Sequence, residues 1–186
     1  MHLKKQIYLY HGSYSKIEKI DLSKCLAGKD FGSGFYLTSD YEQAKKFIKT
    51  SIAKAVKNKF IQENVNVGYI SIFKFEKTFN LKIHKFKKSD KNWLHYVAGN
   101  RKNGIFEDDI KKLQKFDVII GKIANDATNR VITAYINDVY GKAGNPEADK
   151  TAIRLLLPNR LNDQYCFKTT DAISCLSFEG VKEIKV

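Results

Sequence analysis

An α+β fold is predicted for this chain, on three observations. Strand-like and helix-like segments are mixed along the chain without regular β-α-β alternation. The strand-like runs are short and rich in aromatic and β-branched residues, as in "QIYLY" (6–10) and "GYISIFKFE" (68–76). The helix-like segments repeat apolar residues at three- and four-residue spacing. With 186 residues, only Pro146 and Pro158 as prolines, no Gly/Ser-rich linker and no internal repeat, residues 1–186 read as one domain.

The first strand stops at His11-Gly12-Ser13, and "IEKIDLSKCLAGKD" (17–30) reads as a loop. "GFYLT" (34–38) is a short apolar run, expected to be a buried strand. Ser39 and Glu42 have the spacing of a capping box, and the helix they start is expected to run to about Phe60. Ala44, Phe47, Ile48, Ile52, Ala55 and Val56 give that helix one apolar face. A weaker strand, "FNLKIHKF" (79–86), follows the strand at 68–76, and Ser89 is placed to cap a helix through "DKNWLHYVAGNRK". "FDVIIG" (116–121) is a fully apolar strand, and "NDATNRVITAYINDVYG" (125–141) a helix with Asn125 or Asp126 as cap and Gly141 as stop. "KAGNPEADK" reads as a loop, and "AIRLLLP" fits helix and strand equally. "QYCFKT" (164–169) is a strand, "TDAISCLSFE" a short helix and "VKEIKV" a last strand.

The formal charge is +13, from 33 Lys+Arg against 20 Asp+Glu. Such a balance favours anionic partners, but the lysines are scattered and only Arg101, Arg130, Arg154 and Arg160 are arginines, which is also what a solvated surface looks like. Cys25, Cys166 and Cys175 are odd in number and form no C-x-x-C pair, which argues against a disulfide framework and for a reducing compartment. The start has no signal-peptide pattern, and no apolar run approaches a membrane span, so a cytoplasmic protein is expected. None of His2, His11, His84 and His95 has metal-ligand spacing, so no metal is expected.

"FGSGFYL" contains G-x-G, but its glycines precede a strand, the reverse of a Rossmann fingerprint. Gly32 and Gly34 are the kind of residue that a turn with positive φ or a close backbone approach demands. His11 by itself reads as a hydrogen-bonded strand-end residue, and no sequence feature pairs Cys166 with a base.

The order of the motifs is more informative than any one of them. "YHGS", then "FGSGFYLTSDYEQA", then "NDQYCFKT" resembles the three-part signature of the ADP-ribosyltransferase superfamily, in its His–Tyr–Glu branch of poly(ADP-ribose) polymerases and diphtheria toxin. Over nearly its full length the chain is most similar to an uncharacterised bacterial family of such domains, sharing "DFG-x-GFYLT", a Trp-containing helix, "AND" and "Q-x-x-FKT". The resemblance implies split antiparallel sheets with flanking helices. It places His11, Tyr36 and Gln164 at the three catalytic positions. NAD is implied as a substrate rather than a recycled cofactor. His11 would bond the adenine-side ribose, the backbone at Gly12 would grip the nicotinamide carboxamide, and Ser13 and Gly34 belong to the same NAD-binding site. Tyr36 would stack on nicotinamide, with Phe47, eleven residues on, as the second aromatic wall.

Two positions depart from the resembled pattern. Ala44 stands where the polymerases place a serine, and Gln164 replaces the glutamate. Glutamine keeps a carbonyl acceptor but lacks the charge, so chain elongation is not expected. The expected activity is transfer of one ADP-ribose to a protein or nucleic-acid acceptor, with Arg160 and Asn162 in the acceptor loop. The alternatives are an inactive module that binds NAD, ADP-ribose or nucleic acid, and an NAD glycohydrolase. Bacterial proteins of this kind are suspected toxins, defence factors or effectors delivered to other cells, which would bring a small neutralising protein as partner.

Overall fold

A computed structural model describes residues 6–76, 80–123, 126–156 and 162–186. Its elements run β1 (Gln6–Ser13), a 3-10 turn (Leu22–Lys24), β2 (Phe35–Thr38), α1 (Tyr41–Lys57), β3 (Val67–Glu76) and β4 (Ile83–Lys85). They continue with α2 (Lys91–Arg101), α3 (Glu107–Leu113), β5 (Val118–Lys122), α4 (Asp126–Ile136), α5 (Pro146–Leu156), β6 (Asp163–Phe167), α6 (Thr170–Ser174) and β7 (Leu176–Lys185). The α+β class is therefore observed.

The strands form one sheet in the order β4-β5-β6-β2-β1-β3-β7. Every neighbouring pair is antiparallel except β4–β5. The expectation of split sheets meets a sheet that is continuous but thin at its centre. β1 runs in register with β3 along its whole length, whereas β1 and β2 register at Tyr10↔Thr38 only.

Alternation along the strands sorts the core onto two faces. Leu9, Phe35, Leu37, Phe73, Phe75, Val118, Ile120 and Phe167 form one face, closed by Leu81, Ala172 and the loop residues Ile17, Ile20 and Leu22. The opposite face is covered in two parts. α1 lays Ala44, Ile48 and Ile52 on Ile70 of β3. A layer built from α2, α4 and α5 packs Trp93, Tyr96, Val97, Ile132 and Ala152 around Ile119 and Cys166. Tyr36 and Cys166 are opposite one another, so Tyr36 lies on this second face, where the coverage passes from one helical part to the other.

Several caps and boundaries differ from the sequence-based expectation. Asp40, not Ser39, caps α1, its carboxylate accepting from the Gln43 amide at 3.1 Å. Asp90, not Ser89, caps α2, and the Ser89 hydroxyl is buried without a partner. α4 ends at Ile136 rather than Gly141, and its cap candidate Asn125 lies outside the described residues. "NPEADK" opens helix α5, with Asn145 accepting from the Glu147 amide and Pro146 in the first helical position. The helix expected over "TDAISCLSFE" stops at Ser174, and the rest joins β7 along β3.

Candidate functional site

His11 lies two residues before the end of β1, just past the single β1–β2 register at Tyr10↔Thr38, and its ring is tied across to the neighbouring strand. His11 Nδ1 lies 2.8 Å from the Tyr36 carbonyl, an acceptor only, so Nδ1 carries the proton and donates. The same ring lies on Phe35, with centroids 4.6 Å apart. Burial pushes the His11 pKa below its ordinary value of 6.5, which outweighs the opposing pull of the Tyr36 carbonyl. The neutral ring then leaves Nε2 as an acceptor. A histidine whose folded pKa is depressed takes up its proton more readily in the unfolded chain, so stability is full above 6.5 and falls as the pH drops below it. Thermal unfolding from neutral to mildly acidic pH is expected to show this decline, and His11→Gln is expected to flatten it.

Tyr36 is fixed by the loop before it. Its hydroxyl accepts from the Phe31 amide at 2.9 Å and donates to the Gly32 carbonyl at 2.7 Å. Burial, with Cys166 beside it, raises its pKa far above the ordinary tyrosine value, so it stays a neutral donor. The ring is half-buried.

The glycines each have a structural task here. An added Cβ on Gly12 would sit 1.9 Å from the Ala44 carbonyl oxygen, so the missing side chain admits α1. Gly32 has φ of +81°, and a Cβ on Gly34 would meet Cys166 Sγ at 2.6 Å and the Phe167 carbonyl oxygen at 2.7 Å. Both sequence expectations for this pair, a positive φ and a close approach, are met, one by each glycine. The space beside Gly12 that the resemblance reserves for a carboxamide is, on the side-chain side, filled by helix backbone.

Gln164 is 6% exposed and pairs with Thr38 of β2 and Gly121 of β5, which puts it on the Tyr36 face. Its Nε2 donates to Asp30 Oδ2 at 3.0 Å. Asp30 Oδ1 accepts from both Nε and Nη2 of Arg101, at 2.9 and 2.5 Å. Arg101 Nη1 donates on to Asn129 at 2.6 Å. The loop 30–34 therefore straps the sheet: Asp30 grips Gln164 and the end of α2, and the next residue, Phe31, fills the space above Gly121, where any side chain would collide with it.

His11, Tyr36 and Gln164 thus stand on three strands that are neighbours in the sheet. The remaining candidates are more scattered. Ser13 is buried, with its hydroxyl accepting from the Ser15 amide at 3.3 Å. Phe47 is not part of the buried face of α1, as the helical spacing had it, but is 43% exposed with Lys54 Nζ 5.7 Å from its ring centre. Asn162 holds Asp40 through its amide, next to the start of β6, and Arg160 lies outside the described residues. Reading the motifs alone missed Asp30 and Arg101. Asp30 stood in plain view at the head of "DFGSGFYLT", and only the fold shows that it meets Gln164.

Among the described residues no cluster of three or more His, Cys, Asp or Glu side chains is arranged to hold a metal, and no helix is long and apolar enough to cross a membrane.

These features define an α+β protein with a seven-stranded, mostly antiparallel sheet and a polar cluster at its centre. The chain belongs to the family described as "Protein of unknown function (DUF3990)", which matches residues 7–178. Comparison with curated proteins finds no match.

Proposed function

We propose that this protein is a mono-ADP-ribosyltransferase that cleaves NAD at the nicotinamide–ribose bond and passes one ADP-ribose to a protein or nucleic-acid acceptor. The observation that carries the reading is the placement of His11, Tyr36 and Gln164 on the adjacent strands β1, β2 and β6, with Tyr36 and Gln164 on one face and the His11 ring against Phe35 on the other, where the β1–β2 ladder is reduced to Tyr10↔Thr38. Strands that pair this briefly leave backbone next to His11-Gly12 for a planar carboxamide. The position eight residues after Tyr36, Ala44, also lies against Gly12, as a nicotinamide contact of the resembled family would.

The chemistry assigned to each residue follows from its surroundings. Tyr36, its hydroxyl fixed by two hydrogen bonds, offers a preorganised ring face for nicotinamide. Phe47, exposed on α1, is the second wall. His11 Nε2 accepts from the adenine-side ribose. Gln164 Oε1 accepts from a hydroxyl of the reacting ribose as its carbon gains oxocarbenium character. The bond between that carbon and the nicotinamide nitrogen breaks, the nitrogen keeps the electron pair, and the acceptor nucleophile attacks the opposite face while losing its proton.

Labelled NAD, incubated with the protein and with lysate or nucleic acid, is expected to release nicotinamide and to label the acceptor. Tyr36→Ala is expected to weaken NAD binding by about 1–3 kcal/mol, the usual worth of an aromatic stacking platform. Tyr36→Phe keeps the ring and is expected to lose less. A folded protein that binds NAD yet neither releases nicotinamide nor transfers label sinks the enzyme reading. That result would favour a second one, a binding module without turnover, which the uncharged amide of Gln164 supports. Release without transfer would identify a glycohydrolase.

A further inference from the structure

We infer that Asp30 is the positioning residue of this site: its carboxylate fixes the orientation of the Gln164 amide, so that Oε1 is the end presented to a ribose hydroxyl. The inference rests on the proposed reaction for the ribose, but the orientation itself follows from the hydrogen bonds alone.

An amide side chain has a donor end and an acceptor end, and its partner decides which way round it sits. Asp30, paired through Oδ1 with the Arg101 guanidinium, presents Oδ2 as an acceptor. Only the Nε2 end of Gln164 can face it. The opposite end makes no hydrogen bond among the described residues. Among the described residues it is also not one of the fully buried unpartnered atoms, which are Gln43 Oε1 and Ser89 Oγ. Gln164 Oε1 is therefore a fixed acceptor left without a protein partner among the described residues. The loop that carries Asp30 also carries the Phe31 amide and Gly32 carbonyl that hold Tyr36. One segment thus sets both the proposed stacking ring and the proposed ribose acceptor.

This arrangement reverses a simple expectation. Gln164→Glu alone would not install a working carboxylate, because it sets two carboxylates against each other at hydrogen-bond distance. One must then hold a proton, and the variant is destabilised where both are ionised. The swap Asp30→Asn with Gln164→Glu restores a donor–acceptor pair in the opposite sense.

The test is a double-mutant cycle in the full chain, read by thermal unfolding at about pH 7 and about pH 5 and by nicotinamide release. Each single substitution is expected to lower Tm. The double variant is expected to recover about half or more of the summed loss. The deficit of Gln164→Glu is expected to shrink on acidification: its raised folded pKa gives stability below that pKa and loses it as the pH rises through it. In the kinetics, Asp30→Asn is expected to lower kcat about tenfold with little change in KM for NAD, and the swap to restore it. Additive losses of Tm, or a kcat unchanged in folded Asp30→Asn, overturn the assignment. A coupled cycle in a protein that neither binds nor cleaves NAD would instead remove the ribose role together with the proposed reaction, and leave only a structural amide clamp.

Discussion

Replacing Gly12 with alanine is expected to destabilise the protein by about 3 kcal/mol or more, the upper range for overpacking a close-packed contact, and to lower Tm by about 6–12 °C. The added carbon would lie 1.9 Å from the Ala44 carbonyl oxygen and 2.8 Å from its carbonyl carbon. Both sides of this contact are backbone. One belongs to a strand paired with β3 along eight residues, from Gln6↔Glu76 to Ser13↔Tyr69. The other belongs to the first turn of α1, whose start is capped by Asp40. No rotamer change can relieve the collision, so α1 must lift. Gly68, on the paired strand, also lies against α1, with a Cβ position 2.1 Å from the side-chain carbon Ile48 Cγ2. Gly12, paired with Ile70, and Gly68, two residues from Ile70 on β3, therefore seat α1 together. Thermal unfolding checks this, and a Gly12→Ala protein that melts with the parent would show that α1 does not rest on β1 in this way. In the NAD reading, any loss of nicotinamide release in this variant is expected to follow the folded fraction, since the collision removes the fold before it removes a ligand contact.

The same glycine illustrates what sequence patterns can and cannot convey. Strand and helix identity was legible where a period of two or of 3.6 residues was strong, as in β3 and α1, or where a short apolar, aromatic or β-branched run stood out, as in β1 and β5. α3 was invisible for a physical reason: it starts from Phe106 in the left-handed region, φ 54°, with no side-chain cap to announce it. α5 did carry a start signal in Asn145-Pro146-Glu147, which the polar loop-like composition obscured. The long β7 owes its form to an open edge of β3 rather than to local propensity, so "CLSFE" was read as helix. At the site, the residues marked by motif order were found on adjacent strands. What holds them was not legible, because hydrogen bonds such as Asp30 to Gln164 join positions 134 residues apart. Motif spacing describes neighbours along a chain, and the clamp on Gln164 is a neighbour only across the sheet.

A second large effect is expected far from that site, in the helical layer. Asp149→Ala is expected to lower stability by about 3–5 kcal/mol, since it leaves two buried polar partners unsatisfied at about 1–3 kcal/mol each. Asp149 is 3% exposed on α5. Its Oδ2 lies 3.0 Å from His95 Nε2 of α2, and its Oδ1 accepts from the Tyr135 hydroxyl of α4. Tyr135 in turn accepts from the Gly144 amide at 2.8 Å. On its other side the His95 ring stacks on Phe106, 3.9 Å between centroids, and its Nδ1 lies 3.5 Å from Asp109 of α3. One carboxylate thus joins three helices, and a fourth is reached through the histidine. Truncating it leaves a buried imidazole and a buried hydroxyl without their shared acceptor, and opens a cavity where α5 meets α2. Asp149→Asn keeps an oxygen for Tyr135 and turns an N–H toward His95. This variant is therefore expected to lose less stability than Asp149→Ala. Chemical and thermal unfolding of the two variants measure both losses. Equal and small losses would mean that apolar packing around Trp93 and Ile132, not this cluster, carries the helical layer.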